Sequence, residues 1–280
     1  MESYFKPFSL NIRQKLYTIN EPCVMGILNV TDDSFFDGGR YVAIDQALNR
    51  VEQMLKEGVD IIDIGGQSTR PGAIDVGVSE ELARTIPVIE AISSRFPDAV
   101  LSIDTFRAEV AQKAVEAGVG IVNDVSAGDD DANMISTVSK LKVPYIAMHK
   151  QGTPLTMQNN PVYNDVTGDV LQYCAEKKWA LKEAGIKDLI IDPGFGFGKT
   201  TEQNYRLLSH LEVFHSLNCP ILIGVSRKGM IWKVLGSSPE QALPGTIAAN
   251  TIALLKGVHI IRVHDVKAAK DAIAIVSQLV

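Results

Sequence analysis

The stretch Leu189-Ile190-Ile191-Asp192-Pro193-Gly194-Phe195-Gly196-Phe197-Gly198-Lys199-Thr200 sets an apolar strand against a carboxylate and a turn of glycines. Three apolar residues predict a buried strand, and an Asp at its end is costly unless something pairs with it. Gly194, Gly196 and Gly198 let the backbone bend where side chains must leave room. Neither nucleotide motif fits. A phosphate-cradling loop ending in Gly198-Lys199-Thr200 needs a glycine where Pro193 stands, and glycines at every second position do not make Gly-x-Gly-x-x-Gly.

The same design recurs along the chain. Asn29 follows Ile27-Leu28, Gly65-Gly66-Gln67 follows the run from Ile61 to Ile64, and Asp104 follows Leu101 to Ile103. Asn123-Asp124 follows Ile121-Val122, His149 follows Tyr145 to Met148, and Ser226-Arg227-Lys228 follows Ile221 to Val225. Arg262 and His264 flank the end of Ile260 to Val263. One pocket lined by many strand ends accounts for all of them. His149 reads as structural.

Between these runs the spacing predicts helices. Ile44, Ala47, Leu48, Val51, Met54 and Leu55 keep helical spacing, as do Val110, Ala111, Ala114, Val115 and Ala117 before Gly118. Leu82 to Ile92 does so less cleanly, with Pro87 expected to kink it. Further helices are expected over 132–140, 166–184, 202–215 and 266–279, and a broken one from Lys228 to Lys256 around Gly236-Ser237-Ser238-Pro239. Alternating strands and helices, repeated about every thirty residues, make a parallel sheet covered by helices. Eight units fit a (β/α)8 TIM barrel as a single domain over residues 1–280, with a short N-terminal hairpin over Phe8 to Ile19. A doubly wound open sheet is the alternative, but no strand carries the charges or prolines of an edge. In a barrel, active sites lie at the C-terminal strand ends, where the polar residues above fall. The long connections 31–43, 65–77 and 150–165 lie at that same rim.

Composition narrows the classes. With 280 residues, 46% hydrophobic and 21% charged, the chain buries a full core. A formal net charge of −6 argues against nucleic-acid binding. Cys23, Cys174 and Cys219 show neither metal-ligand spacing nor a disulfide framework, which suits a reducing compartment. No run approaches membrane-spanning length and no apolar signal core opens the chain, so a cytoplasmic protein without membrane association is expected.

Taken in order, these pieces resemble the dihydropteroate synthases. The run from Met25 to Gly39 resembles the family's first loop signature, and Asp63 to Gly72 its second. Ser102-Ile103-Asp104-Thr105, Val122-Asn123-Asp124, Met148 to Pro154, Asp192 to Phe197, Ser226-Arg227-Lys228 and Arg262 to Val266 complete the set, so the likeness spans about residues 24 to 266. The resemblance implies condensation of 6-hydroxymethyl-7,8-dihydropterin pyrophosphate with p-aminobenzoate in folate biosynthesis, by a homodimer that is a sulfonamide target. It implies pterin binding by Asp104, Asn123, Met148, Asp192, Phe197 and Lys228. Asn29, Thr69, Arg70, Arg262 and His264 are expected at the pyrophosphate, with Mg²⁺ held by that group and Asn29. Phe35, Pro71, Phe197, Lys228 and Gly229 are expected around p-aminobenzoate, whose carboxylate would meet the N-terminus of a helix starting near Ser226 to Lys228. Asp37, Thr69, Arg70 and Lys228 are the expected catalytic residues.

The chemistry suits the residue types. A pterin edge offers amino and ring N–H donors to carboxylates and an amide, and a carbonyl side to a cation. The chain departs from the family pattern at Asp32, Phe36, Gln67, Lys150 and Gly229, where Pro, a small residue, Glu, Met and Ser are usual. Two rival readings are a methyltetrahydrofolate–corrinoid methyltransferase domain and a non-catalytic pterin-binding barrel. The first does not need Ser68 to Gly72 or the Arg262/His264 pair, and the second should have lost an anion-site residue.

Overall fold

The computed structural model describes residues 4–30, 39–67, 75–153, 156–157 and 161–279. Strands β1 (Phe8–Ile12) and β2 (Lys15–Ile19) form an antiparallel hairpin, with Ile12 opposite Lys15. Its two-residue turn, Arg13-Gln14, has φ of 49° and 61°, the left-handed turn geometry that matches strand twist. Neither residue is a usual turn former.

Eight parallel strands follow: β3 (Cys23–Asn29), β4 (Ile61–Gly65), β5 (Val100–Asp104), β6 (Ile121–Asp124), β7 (Tyr145–Met148), β8 (Leu189–Asp192), β9 (Leu222–Ile223) and β10 (Ile260–Val263). They run β8-β7-β6-β5-β4-β3-β10-β9, and a parallel bridge between Ile191 and Ile221 joins the ends into a (β/α)8 barrel. The open-sheet alternative is thereby excluded. In chain order the helices described are α1 (Gly39–Lys56), α2 (Val78–Arg95), α3 (Ala108–Glu116), α4 (Met134–Leu141), α5 (Val166–Glu183), α6 (Thr201–Ser209), α7 (Gly229–Trp232), α8 (Leu243–Leu255) and α9 (Val266–Val276).

The two-residue period of a strand divides the core in two. Val24, Ile62, Ile64, Leu101, Ile103, Val122, Ile191 and Ile261 point outward under the helices. Met25, Ile61, Ile121, Ile146, Ile190, Leu222 and Ile260 point inward, packed on Leu10, Ile12 and Ile19 of the hairpin. The hairpin therefore closes the lower end of the barrel. It is tied there by Arg13 donating to Gly118 O, by Asn11 N–H on Asp188 Oδ2 (3.3 Å), and by His259 Nε2–H on Lys6 O (3.0 Å). His259 Nδ1 accepts from Ile221 N–H, and burial lowers its pKa to about 4, so the ring stays neutral.

One helical expectation changes. The helix expected over 202–215 ends at Ser209, and a 3₁₀ helix, Leu211–Leu217, continues it. Its buried residues Leu211, Phe214 and Leu217 recur every third position, the period of the tighter helix. Helix α2 runs through Pro87 in one piece. Pro87 deprives Ala83 of its helical donor, and Ala83 is exposed, so water can serve that carbonyl.

Candidate functional site

Two residues above the lower inward layer, the same strands turn polar. Asp63 stands above Ile61, Asn123 above Ile121, Asp192 above Ile190 and Arg262 above Ile260, with Met148 above Ile146. Strand register sets these ends level: Asn29 lies opposite Gly65, Gly65 opposite Asp104, Asp104 opposite Asn123, and Met148 opposite Asp192. Gly65 has no side chain to separate its neighbours, and a Cβ there would lie 3.7 Å from Asn29 Oδ1 and 3.9 Å from Asp104 Oδ2. Asn29 and Asp104 thus converge across it.

Arg262 organises this level. Its Nε donates to Asp63 Oδ2 and its Nη2 to Asp104 Oδ2, each at 2.6 Å, while Asn123 Nδ2 donates to Asp63 Oδ2 at 2.9 Å. Burial works against the guanidinium's charge, but Asp63 and Asp104 outweigh it and hold its pKa above the ordinary value. Burial raises the Asp104 pKa as well, to about 7, which disfavours its charge; Arg262 opposes the shift and Asp63 adds to it. Among the described residues, Asp63 Oδ1, Ser102 Oγ and Asp104 Oδ1 are buried with no hydrogen-bond partner. Asp124, one strand position beyond Asn123, is the instructive contrast. Its carboxylate accepts from Ser126 N–H and Oγ, Gly128 N–H and the Tyr145 hydroxyl, at 2.6 to 2.8 Å. Asp124 is satisfied by its own fold; Asp104 keeps an acceptor for something else.

The glycine turn supplies the opposite wall. Asp192 Oδ1 accepts from Gly194 N–H at 2.7 Å. Gly194 has φ of 72°, and a Cβ there would fall 1.8 Å from His149 O, so only glycine fits. Lys228 Nζ donates to Phe195 O (2.5 Å) and lies 4.5 Å from the centre of the Phe197 ring. Burial lowers the Lys228 pKa to about 8, against the pull of Asp192. Burial likewise raises Asp192, with Lys228 opposing. His264 Nδ1 lies 3.1 Å from Ser226 Oγ, just beyond the end of β10. Gly229 begins α7, which is a single turn of four residues. The helix expected to receive a carboxylate is therefore too short to carry much of a dipole.

Sequence reasoning missed three buried polar residues. Asp63 lay inside a quoted motif without a role; its signal was the spacing of two from Ile61, the same as Asp192 from Ile190. Lys199 is only 2% exposed, and its ammonium bonds Gly194 O (2.8 Å), Phe197 O (3.2 Å) and His149 Nδ1 (2.9 Å). Burial brings the Lys199 pKa down to about 7 and that of His149 to about 3. Arg107, also buried, is the third. Phe35, Asp37, Thr69, Arg70 and Pro71, with the departures Asp32 and Phe36, lie outside the described residues.

Among the described residues, no group of three His, Cys, Asp or Glu side chains could hold a metal ion. What remains is a cleft whose walls each pair carboxylates with a cation, Asp63 and Asp104 with Arg262 and Asp192 with Lys228, with the Asn123 amide between and Met148 and Phe197 as apolar surfaces. Such a cleft takes a flat heterocycle with donors on one edge and an acceptor on another.

The comparisons with known proteins agree in one direction. The model of the family described as pterin binding enzyme matches residues 25–264. Dihydropteroate synthase of Escherichia coli (strain K12) is 44% identical over 260 residues, covering 92% of either chain. The Yersinia pestis dihydropteroate synthase, solved as a sulfonamide drug complex, superposes with a TM-score of 0.91 at 42% identity, covering 97% of this chain and 99% of that one. The Xanthomonas albilineans dihydropteroate synthase with 4-aminobenzoic acid gives 0.90 at 42% identity, covering 97% of both.

Proposed function

The chain belongs to the pterin-binding enzymes, and within them to the dihydropteroate synthases, and on that premise we propose how its residues divide the reaction. It is a transferase that joins 6-hydroxymethyl-7,8-dihydropterin pyrophosphate to p-aminobenzoate, giving 7,8-dihydropteroate and pyrophosphate in folate biosynthesis. Among the described residues no helix is long and apolar enough to cross a membrane.

The observation that carries the assignment of residues is the orphaned acceptor Asp104 Oδ1 beside Asn123, Asp192 and Lys228 at one level of the barrel. Asp192 accepts from the guanidine-like edge of the pterin. Asp104 and Asn123 serve the remaining ring nitrogens, Lys228 donates to the carbonyl side, and Met148 and Phe197 pack on the faces. The pyrophosphate meets Arg262, His264, Asn29, Thr69 and Arg70. Two of Arg262's nitrogens are committed to Asp63 and Asp104, which leaves Nη1 for the anion.

Asn29 is the residue that would hold Mg²⁺ beside the pyrophosphate. Mg²⁺ prefers oxygen ligands and keeps its waters, and Asn29 Oδ1 at the strand end is a donor of that class. Bound there with Asn29, the ion would offset the charge of the leaving group.

In the reaction the methylene–oxygen bond breaks with its electron pair going to pyrophosphate. The aminobenzoate nitrogen then gives its lone pair to the methylene carbon and loses a proton. Asp37 faces the developing cation, Thr69 and Arg70 hold the departing anion, and Phe35, Pro71, Phe197, Lys228 and Gly229 surround the second substrate. Excluding water protects the cation. The enzyme works as a cytoplasmic homodimer, for which Ile247 and Ile252 on α8 and Ile275 on α9 supply exposed apolar surface. Purified protein given the dihydropterin pyrophosphate, p-aminobenzoate and Mg²⁺ should release pyrophosphate only when the dihydropterin substrate is present. Release that does not depend on that substrate, or none at all, would overturn the assignment.

A further inference from the structure

Outside the pterin cleft, a charge cluster surrounds the buried Arg107, immediately before α3 and three residues beyond Asp104. Its Nη1 donates to Gln67 Oε1 at 2.8 Å and to the carboxylate of Glu81, and its Nη2 donates to the carboxylate of Asp75. The guanidinium carbon lies 4.5 Å from the centre of the Phe106 ring. The Arg107 side chain is 8% exposed and that of Glu81 1%, whereas that of Asp75 is 65% exposed. Glu81 is fixed in turn by packing: a Cβ on Gly66 would lie 3.1 Å from Glu81 Cγ and 2.6 Å from Thr85 Cγ2. Arg84 Nη1 adds a bond to Gly66 O (3.3 Å).

Gln67 and Asp75 are the residues on either side of the segment 68–74, which carries Thr69 and Arg70. One planar fork holds both, and its own backbone belongs to the loop after β5, beside Asp104. Charge counting explains why residue 67 is Gln here. Arg107 already faces two carboxylates, Glu81 and Asp75, so a third at position 67 would be held without a matching cation. A neutral amide accepts the same hydrogen bond without that penalty.

We propose that Arg107 is a positioning residue for the synthase reaction, fixing Gln67 and Asp75, the two residues that flank the segment carrying Thr69 and Arg70. The role rests on the function assigned above, because it matters only if Thr69 and Arg70 handle the pyrophosphate. It predicts a signature distinct from that of a pterin ligand or a purely structural ion pair. Both flanks depend on one guanidinium, so releasing either one should lower turnover, and releasing the second should add little.

The test uses full-length Gln67→Ala, Asp75→Ala, the double variant and Arg107→Lys. The first three leave the buried Arg107–Glu81 pair in place, and lysine keeps the charge while losing the fork. Each single variant should lower kcat about tenfold and the double variant no more than about twofold further. Arg107→Lys should match the singles, and affinity for a pterin analogue should stay within about threefold throughout. Amide hydrogen exchange in the peptide spanning 66 to 77 should quicken in all four variants. Additive kcat losses, kcat within twofold of the parent in both singles, or a lowered Tm with unchanged kcat would each overturn the proposal. Exchange reads the clamp without the reaction: if the parent chain released no pyrophosphate, the functional assignment would fail, while unchanged exchange would sink the clamp itself.

Discussion

Ile61, Ile121, Ile190 and Ile260, and the residues two places above them, Asp63, Asn123, Asp192 and Arg262, stand on the same four strands and differ in nearly every physical respect. The lower set is dry and apolar, packed on the hairpin, and draws its stability from area removed from water and from close contact. The upper set is polar and slightly less buried, Arg262 being partly exposed, and its level matches three carboxylates, Asp63, Asp104 and Asp192, to three cations, Arg262, Lys228 and Lys199. A layer held by packing accepts a residue of similar shape. One held by charge matching fails when a single partner leaves, because the others remain buried. The same imbalance lets the upper layer bind, since unmet acceptors such as Asp104 Oδ1 await a donor.

The severest way to break the upper layer is Arg262→Ala. Asp63 and Asp104 would be left buried beside each other, and unfolding free energy in urea should fall by about 3–5 kcal/mol. A loss below about 1 kcal/mol would mean that the layer is not held by charge matching. A paired test on β8 sharpens the contrast. Ile190→Ala should cost about 2–4 kcal/mol of stability and leave pterin-analogue affinity within about threefold. Asp192→Asn should keep the fold and weaken that affinity about a hundredfold, about 2.7 kcal/mol, because a donor replaces an acceptor. Titration calorimetry and denaturation on both variants decide it, and the comparison fails if the two profiles coincide.

Protonation gives a subtler separation. Folded Asp104 keeps its proton up to about 7, whereas unfolded Asp releases it near 3.8. Its raised pKa therefore stabilises the fold at low pH, and that contribution is lost as pH rises toward 7. Folded Lys199 is lowered from 10.5 to about 7, so its contribution is present at high pH and lost as pH falls through 7. Together they make the free protein least stable near neutrality as far as this layer is concerned. Denaturation between pH 5 and pH 9 should show the dip. Asp104→Asn should flatten its acid limb, changing the pH 5 to pH 7 difference by about 1–2 kcal/mol, and Lys199→Met its alkaline limb. The mildest change is Gly229→Ser. A Cβ there would meet Lys233 Cε at 3.5 Å and Trp232 Cζ2 at 3.6 Å, ordinary contacts, so stability should move by no more than about 0.5 kcal/mol. KM for p-aminobenzoate should fall about threefold, and an unchanged KM would remove Gly229 from the second-substrate site.

Why the sequence revealed some of this and not the rest follows from the same contrast. Apolar runs ending in polar residues expose the barrel, the rim and residues such as Asp104, Asn123 and Asp192, because burial and chemistry there alternate along one strand. Asp63 was hidden by the apolar Ile64 and by two glycines that draw the strand's visible end past it. Lys199 resembles a solvated lysine at a helix start; only the folded turn shows its ammonium collecting carbonyls. The Arg107 cluster joins residues of two different connections, Gln67 and Asp75 after β4 and Arg107 after β5, to Glu81 of α2, and no local period brings them together. The hairpin was legible, but its Arg13-Gln14 turn was not, since tertiary bonds rather than a glycine hold that geometry.

The hairpin has a bearing on how the chain is made. Its residues are made before the barrel, yet Arg13 waits for Gly118, Asn11 for Asp188, and Lys6 for His259, partners 105, 177 and 253 positions later. Strand β3 waits as long, since one of its two neighbours is β10. During synthesis the plug is therefore a stopper without a bottle, and Leu10, Ile12 and Ile19 stay exposed until nearly the whole chain has emerged. Long-range closure of this kind is slow, and open apolar surface invites association with other chains. A segment made before the barrel is seated after it, and in that interval the hairpin's apolar face is where the nascent chain most needs chaperoning.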